Sequence, residues 1–315
     1  MPLLPSLQAA LDAIASSPPS PEGLSPAEAR AHAHAMMDQS FMALAADHPP
    51  VASEVDRRIP VDGGEITVRV YTPEAKPPLP CHLYIHGGGF WLGTLDQMDP
   101  NCRGIANDAE CVVVSVDYRL APEAKFPAPA EDCYAALCWV VDNAFELGID
   151  PSRISVGGGS AGGNLSAVVA LMARDRGGPP LVFQVLEIPV TDLTMSQPSI
   201  ETNDGYLLTR VGMEQYRDYY LADPADATNP YASPLLAPDL SGLPPALVMT
   251  AEFDPLRDEG EAYAARLADA GVEVDAMCWE GQFHGSQTMA KLIPDEAAAY
   301  HREVTSALRK AYGAT

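Results

Sequence analysis

The sequence predicts an α/β protein in which a mostly parallel sheet is covered by helices on both faces. Three observations predict it. Short apolar runs at 81–85, 111–116, 154–156, 181–188, 246–250 and 272–279 have the unbroken hydrophobic character of strands buried on both sides. Stretches with helical spacing lie between or after them, near 97–109, 129–146, 161–175, 255–270 and 286–311, as parallel strands require. The run at 154–156 ends in glycines and passes directly into apolar positions at helical spacing (Leu165, Val168, Val169, Leu171, Met172).

The first 50 residues read as a separate helical cap segment. Leu3, Leu4, Leu7, Leu11 and Ile14 form an apolar stripe at helical spacing, and a Ser/Pro-rich stretch at 16–23 breaks it. Ser25-Pro26-Ala27-Glu28 is a capping box with proline at the first helical position, so a second helix starts there. His32, His34 and His48 lack Cys or carboxylates at ligand spacing, so they are expected to be solvated rather than metal-bound. Met36, Met37, Phe41, Met42 and Leu44 are expected to pack. Residues 51–315 then read as the main domain. It opens with a hairpin of alternating residues, 55–61 and 65–71, joined at Asp62-Gly63-Gly64. Between about 190 and 240, Pro-rich loops around one helix near 210–221 interrupt the strand–helix rhythm and read as an insertion.

Composition excludes several classes of function. The net charge of -24 repels phosphate backbones and anionic lipid surfaces, so neither nucleic acid nor membrane is an expected partner. No apolar run reaches the length of a membrane span. The six cysteines form no C-x-x-C pair and several lie in apolar runs, which suits a reducing, cytoplasmic setting. No Lys or Arg precedes Arg30, so a secretory leader is not expected.

Chemistry concentrates at three places. Gly158-x-Ser160-x-Gly162 sits at the strand–turn–helix junction, where small residues let strand and helix approach and a serine is held at the apex. From this chain's own composition such a pentapeptide arises by chance about once in ten chains, so a plain glycine turn is the competing reading. His86-Gly87-Gly88-Gly89-Phe90 follows the strand at 81–85 and exposes backbone N–H groups, which is what stabilising an oxyanion requires. Only His284 and His301 follow Ser160; His301 falls in the last helix, whereas His284 lies on a glycine-flanked loop after the last strand. Between them, Thr250-Ala251-Glu252-Phe253-Asp254-Pro255 suggests Asp254 at a helix N-cap, with Glu252 and Asp258 as rivals. Glu252 is less free to reach, and Asp258 is expected on the helix. The order Ser160, Asp254, His284 is that of α/β hydrolases.

The chain resembles the hormone-sensitive-lipase-like (bacterial family IV) branch of the α/β-hydrolase superfamily. The residues that carry this are 86–90, Asp117 to Glu123 with Phe126-Pro127, 158–163, Asp254 to Gly260 and His284-Gly285. The resemblance implies a carboxylesterase that needs no cofactor, with Ser160, Asp254 and His284 as triad and oxyanion donors from Gly88, Gly89 and Ala161. It also implies a helical cap built from the N-terminal segment and the insertion, a small-molecule ester as substrate, short-chain acyl groups, and pairing of two copies through the last strand. An amidase, a lactonase or a deacetylase would use the same triad, and related plant receptors that lack the histidine are non-catalytic. Phe90, Tyr206 and Met213 are candidate substrate-binding residues. One departure stands out: Gly159 occupies a position where the family commonly has Asp.

Overall fold

A computed structural model describes residues 1–16, 21, 23–40 and 42–313. Phe41 and most of the Ser/Pro-rich break at 16–23 lie outside the described residues. The N-terminal helices are α1 (Pro5–Ala15) and α2 (Pro26–Ser40). The capping box forms as expected: Ser25 Oγ accepts from the Glu28 amide at 3.3 Å, and the Glu28 carboxylate accepts from the Ser25 amide at 2.9 Å.

The hairpin is β1 (Ser53–Val61) and β2 (Gly64–Thr72), and Val61 pairs with Gly64 across a two-residue turn. After it come β3 (Leu79–Ile85), α3 (Leu95–Asp108), β4 (Val112–Asp117), α4 (Ala128–Asp142) and the one-turn α5 (Ala144–Leu147). Next are β5 (Ile149–Gly159), α6 (Ala161–Asp175) and β6 (Phe183–Glu187). The insertion holds a one-turn α7 (Ser199–Thr202) and α8 (Arg210–Tyr220), and the chain closes with β7 (Ala246–Phe253), α9 (Arg257–Asp269), β8 (Val274–Phe283) and α10 (Pro294–Ala311).

The eight strands form one sheet in the order β1-β2-β4-β3-β5-β6-β7-β8. β1 and β2 are antiparallel to their neighbours; every later pair is parallel. Alternation along each strand splits the core in two. Leu83, Ile85, Val114 and Val156 pack with α4 and α6, and Leu186 and Val248 with α6 and α9. Tyr84, Val113, Val185 and Met249 face α3 and α10 instead. Burying each aliphatic side chain contributes about 2 kcal/mol, which is why the central strands read as continuous apolar runs.

Several expected boundaries move: β5 begins at Ile149 rather than 154, and β8 runs on to Phe283 rather than 279. The last helix starts at Pro294 rather than near 286, because residues 286–288 close a separate 3₁₀ turn and Pro294 supplies the helical start. α9 starts at Arg257, so Asp254 precedes it by three residues and is not its N-cap. Among the described residues, no helix is long and apolar enough to cross a membrane.

Candidate active site

Parallel strands deliver their C-terminal ends to one rim of the sheet, and the turns after β3, β5, β7 and β8 meet there. Ser160 follows β5 and precedes α6. Its backbone (φ 57°, ψ −118°) lies outside the regions a residue with a Cβ normally adopts. Three backbone hydrogen bonds hold it: its N–H donates to Glu187 O at 2.8 Å, and its carbonyl accepts from Asn164 N at 3.0 Å and Val190 N at 3.2 Å. Gly158 and Gly162 permit the turn, since a Cβ on either would run into the carbonyl oxygen of Ile85.

His284 follows β8. Its Nε2 lies 3.0 Å from Ser160 Oγ and its Nδ1 lies 2.8 Å from Asp254 Oδ2. Asp254 is fully buried. Its second oxygen accepts from the Leu256 amide at 2.9 Å, and Asn203 Nδ2 donates to its main-chain carbonyl at 3.1 Å. Both rivals are engaged elsewhere. Glu252 accepts from the N-terminal ammonium at 2.8 Å and from the Gly281 amide at 2.7 Å, and Asp258 pairs with Arg257 at 2.8 Å. His301 is bonded to Asp108 at 2.8 Å on the outer helix.

The loop at 86–93 lies beside Ser160, and a Cβ on Gly87 would come 3.4 Å from that of Ser160. His86 stacks on Tyr118 with ring centroids 4.3 Å apart, and Tyr118 Oη donates to His86 O at 3.0 Å. Burial pulls the His86 imidazole down to about 4, so it is neutral at pH 7. Gly88 (φ 117°) and Gly89 (φ 59°) turn the chain with left-handed backbone. Among the described residues, no backbone carbonyl accepts from the N–H groups of Gly88, Gly89 or Ala161. Ala161 also opens α6, where the helix dipole adds positive potential. A hydroxyl, a base oriented by a carboxylate and free amide donors are the parts needed for acyl transfer.

The family model that matches this chain is described as an alpha/beta hydrolase fold, and it covers residues 82–288. The chain belongs to the α/β-hydrolase family. The resemblance to its hormone-sensitive-lipase-like branch is borne out as well. This α/β hydrolase is 47% identical over 262 residues to a protein named Carboxylesterase NlhH from Mycobacterium tuberculosis, covering 81% of this chain and 82% of that one. It is 42% identical over 246 residues to one named Arylesterase from Saccharolobus solfataricus, covering 78% and 80%. Among solved structures, it is similar to a hyperthermophilic esterase from Pyrobaculum calidifontis, with a TM-score of 0.92 and 42% identity over 98% of this chain and 99% of that one.

The candidate substrate-binding residues belong to three different apolar clusters. Phe90 is core: the residue is 2% exposed, and its ring stacks on Tyr220 with centroids 3.8 Å apart. Met213 packs with Ile200 and Leu256, and Tyr206 lies against Phe253 at 5.0 Å. Nor is His34 a solvated helix position, for its Nε2 accepts from the Gly93 amide at 3.2 Å. His48 bonds Asp99 at 2.5 Å. Among the described residues, no group of three His, Cys, Asp or Glu side chains could hold a metal ion.

Two contributors escape a reading of the sequence. Asn203 braces the Asp254 backbone from the insertion, and nothing local marks it out. Glu187 ends β6 beside the serine turn, and burial raises its carboxyl to about 7. A single carboxylate within the apolar run at 181–188 is the available signal for it.

Proposed function

We propose that this chain is a serine carboxylesterase in which Ser160 attacks the ester carbonyl and His284 takes its proton. The observation that carries this reading is the continuous path from Ser160 Oγ through both imidazole nitrogens to Asp254, 3.0 Å and then 2.8 Å. Asp254 accepts the Nδ1 proton, which leaves the Nε2 lone pair facing the hydroxyl, and it stabilises the imidazolium that forms. As the carbonyl carbon becomes tetrahedral, its oxygen gains negative charge, and the N–H groups of Gly88, Gly89 and Ala161 receive it. His284 returns the proton to the departing alcohol. Water, deprotonated by the same imidazole, then cleaves the acyl–Ser160 bond, and the carboxylic acid leaves.

The names of the relatives support esters as the substrate class. The insertion helix α8 lies over the oxyanion loop, with Tyr216 close enough to Gly89 that a Cβ there would sit 2.6 Å from the ring. Such a roof favours short to medium acyl chains. All six cysteines are free and four are buried, which supports a cytoplasmic setting. β8 is an edge strand with Asp275, Ala276, Cys278 and Glu280 exposed, and this supports pairing of two copies along it. A panel of p-nitrophenyl esters from acetate to palmitate tests the reading. Turnover should fall steeply beyond about eight carbons, as a finite pocket requires. Inertness toward every ester would overturn it.

A further inference from the structure

Helix α2 carries three polar residues at four-residue spacing, Arg30, His34 and Asp38, which therefore share one face. Each meets the segment that leaves the oxyanion loop. Arg30 Nε donates to Trp91 O at 2.7 Å, and its guanidinium also donates to Ala121 O and pairs with Glu123 at 2.5 Å. One turn on, His34 Nε2 accepts from the Gly93 amide at 3.2 Å. A further turn on, Asp38 Oδ1 accepts from Gln97 Nε2 at 3.0 Å. The side chain of Arg30 is 17% exposed, so these are not loose surface contacts.

The same loop is also gripped by α8. Tyr216 covers Gly89, Tyr220 stacks on Phe90, and Trp91 meets Tyr219 edge-on at 5.4 Å. Phe90 O accepts from the Ala121 amide at 2.9 Å, which links the loop to the segment that Arg30 also holds. Gly88 and Gly89 carry no side chains to fix them, and both have left-handed backbone. Their orientation therefore depends on what clamps residues 90–93.

We propose that Arg30 and His34 are positioning residues for the oxyanion hole: the N-terminal segment braces the donors of Gly88 and Gly89 during catalysis rather than only gating entry. His34 does this as a hydrogen-bond acceptor, which requires neutral Nε2. Burial lowers its basicity in that direction, as does the Arg30 charge, while Asp38 on the same face opposes them. The inference rests on the esterase reading above.

An oxyanion contact is made only in the transition state, so a slackened brace lowers kcat while leaving KM nearly unchanged. A gate or lid would instead change KM. Misplacement by a fraction of an ångström to an ångström costs about ten- to a hundredfold in rate. The test uses the full chain with p-nitrophenyl acetate and a trifluoromethyl ketone, which adds to the serine as a tetrahedral oxyanion adduct. In Arg30→Met and His34→Leu, kcat should fall at least tenfold, KM should stay within about twofold, and the ketone's Ki should rise with the loss in kcat/KM. His34→Gln, whose amide oxygen can accept from Gly93 N–H, should recover most of the activity lost in His34→Leu. If Arg30→Met does not fold, the His34 pair decides the question alone. Unchanged kcat and Ki in folded variants, a change confined to KM, or failure of Gln to rescue would overturn the brace. An inactive parent would instead overturn the esterase reading.

Discussion

The amide of Ser160 donates to the carbonyl of Glu187 at 2.8 Å, tying the apex of the serine turn to the last residue of strand β6. The strained backbone of Ser160 is thus held by the adjacent strand of the sheet. Glu187 is 7% exposed, and its side chain turns toward the α3 and α10 face, where Tyr84, Cys102 and Tyr300 are its titratable neighbours. Among the described residues no cation balances it there, and burial raises it to about 7. Between the ordinary carboxyl range and about pH 7, the folded chain keeps a proton that the unfolded chain has released. Stability therefore falls as pH rises through that window, on the order of a few kcal/mol. Glu187→Gln should match the parent near pH 4.5 and exceed it in melting temperature at pH 8. Equal melting temperatures at pH 8 would show that the carboxyl is not held in its neutral form.

Two buried histidines act in the opposite sense. His82 is lowered to about 3 and His86 to about 4, both by burial. Below the ordinary histidine pKa the unfolded chain takes up protons that the folded chain refuses, so stability is lost as pH falls through about 6.5 toward those values. His82 Nδ1 lies 2.8 Å from Ser155 Oγ. His82→Gln can keep a hydrogen bond to that hydroxyl while removing the titration. Scanning calorimetry at pH 7 and pH 5 should show a smaller loss for this variant than for the parent.

The glycines around Ser160 divide by what surrounds them. A Cβ on Gly162 meets the Ile85 carbonyl, which belongs to the strand backbone and cannot yield, so Gly162→Ala should cost about 3 kcal/mol or more. At Gly159 an added Cβ would stand 3.9 Å from its nearest neighbours, both atoms of Glu187, which is an ordinary contact distance. Gly159→Ala should be neutral or stabilising by up to about 1 kcal/mol, since it also restricts the unfolded chain. Urea denaturation of the two variants checks both.

Asp254 Oδ2 lies 2.8 Å from His284 Nδ1, and in the proposed mechanism it sets the tautomer of the imidazole. In Asp254→Asn the amide oxygen can still accept from Leu256 N–H, which leaves the NH₂ group facing Nδ1. The imidazole proton then moves to Nε2, where it points at Ser160 and blocks proton uptake. Turnover of p-nitrophenyl acetate should drop about 10⁴-fold with the melting temperature little changed. A loss of less than tenfold would mean that Asp254 does not orient the base.

Much of the fold and site is legible in the sequence because it depends on local patterns. The strand–glycine–helix junction at Ser160, the glycine loop after β3, and a histidine on the loop after the last strand each follow from residue types at short spacing. Chain order then pairs them. Element ends are less legible. Asp254-Pro255 looks like a cap and first helical residue, yet Asp254 turns its side chain to Leu256 N–H and His284 while α9 begins at Arg257. Contacts between distant segments leave no mark. Arg30 and Trp91 are 61 positions apart, and nothing near either one signals the other. His34 reads as solvated for the same reason.

The most direct test of the central claim is the mass of the protein after exposure to a p-nitrophenyl alkylphosphonate, followed by peptide mapping. Nucleophilic attack by an activated Ser160 should give one adduct, located on the peptide holding Ser160, absent in Ser160→Ala and strongly slowed in His284→Ala. An adduct on another residue, or full ester turnover by Ser160→Ala, would contradict it.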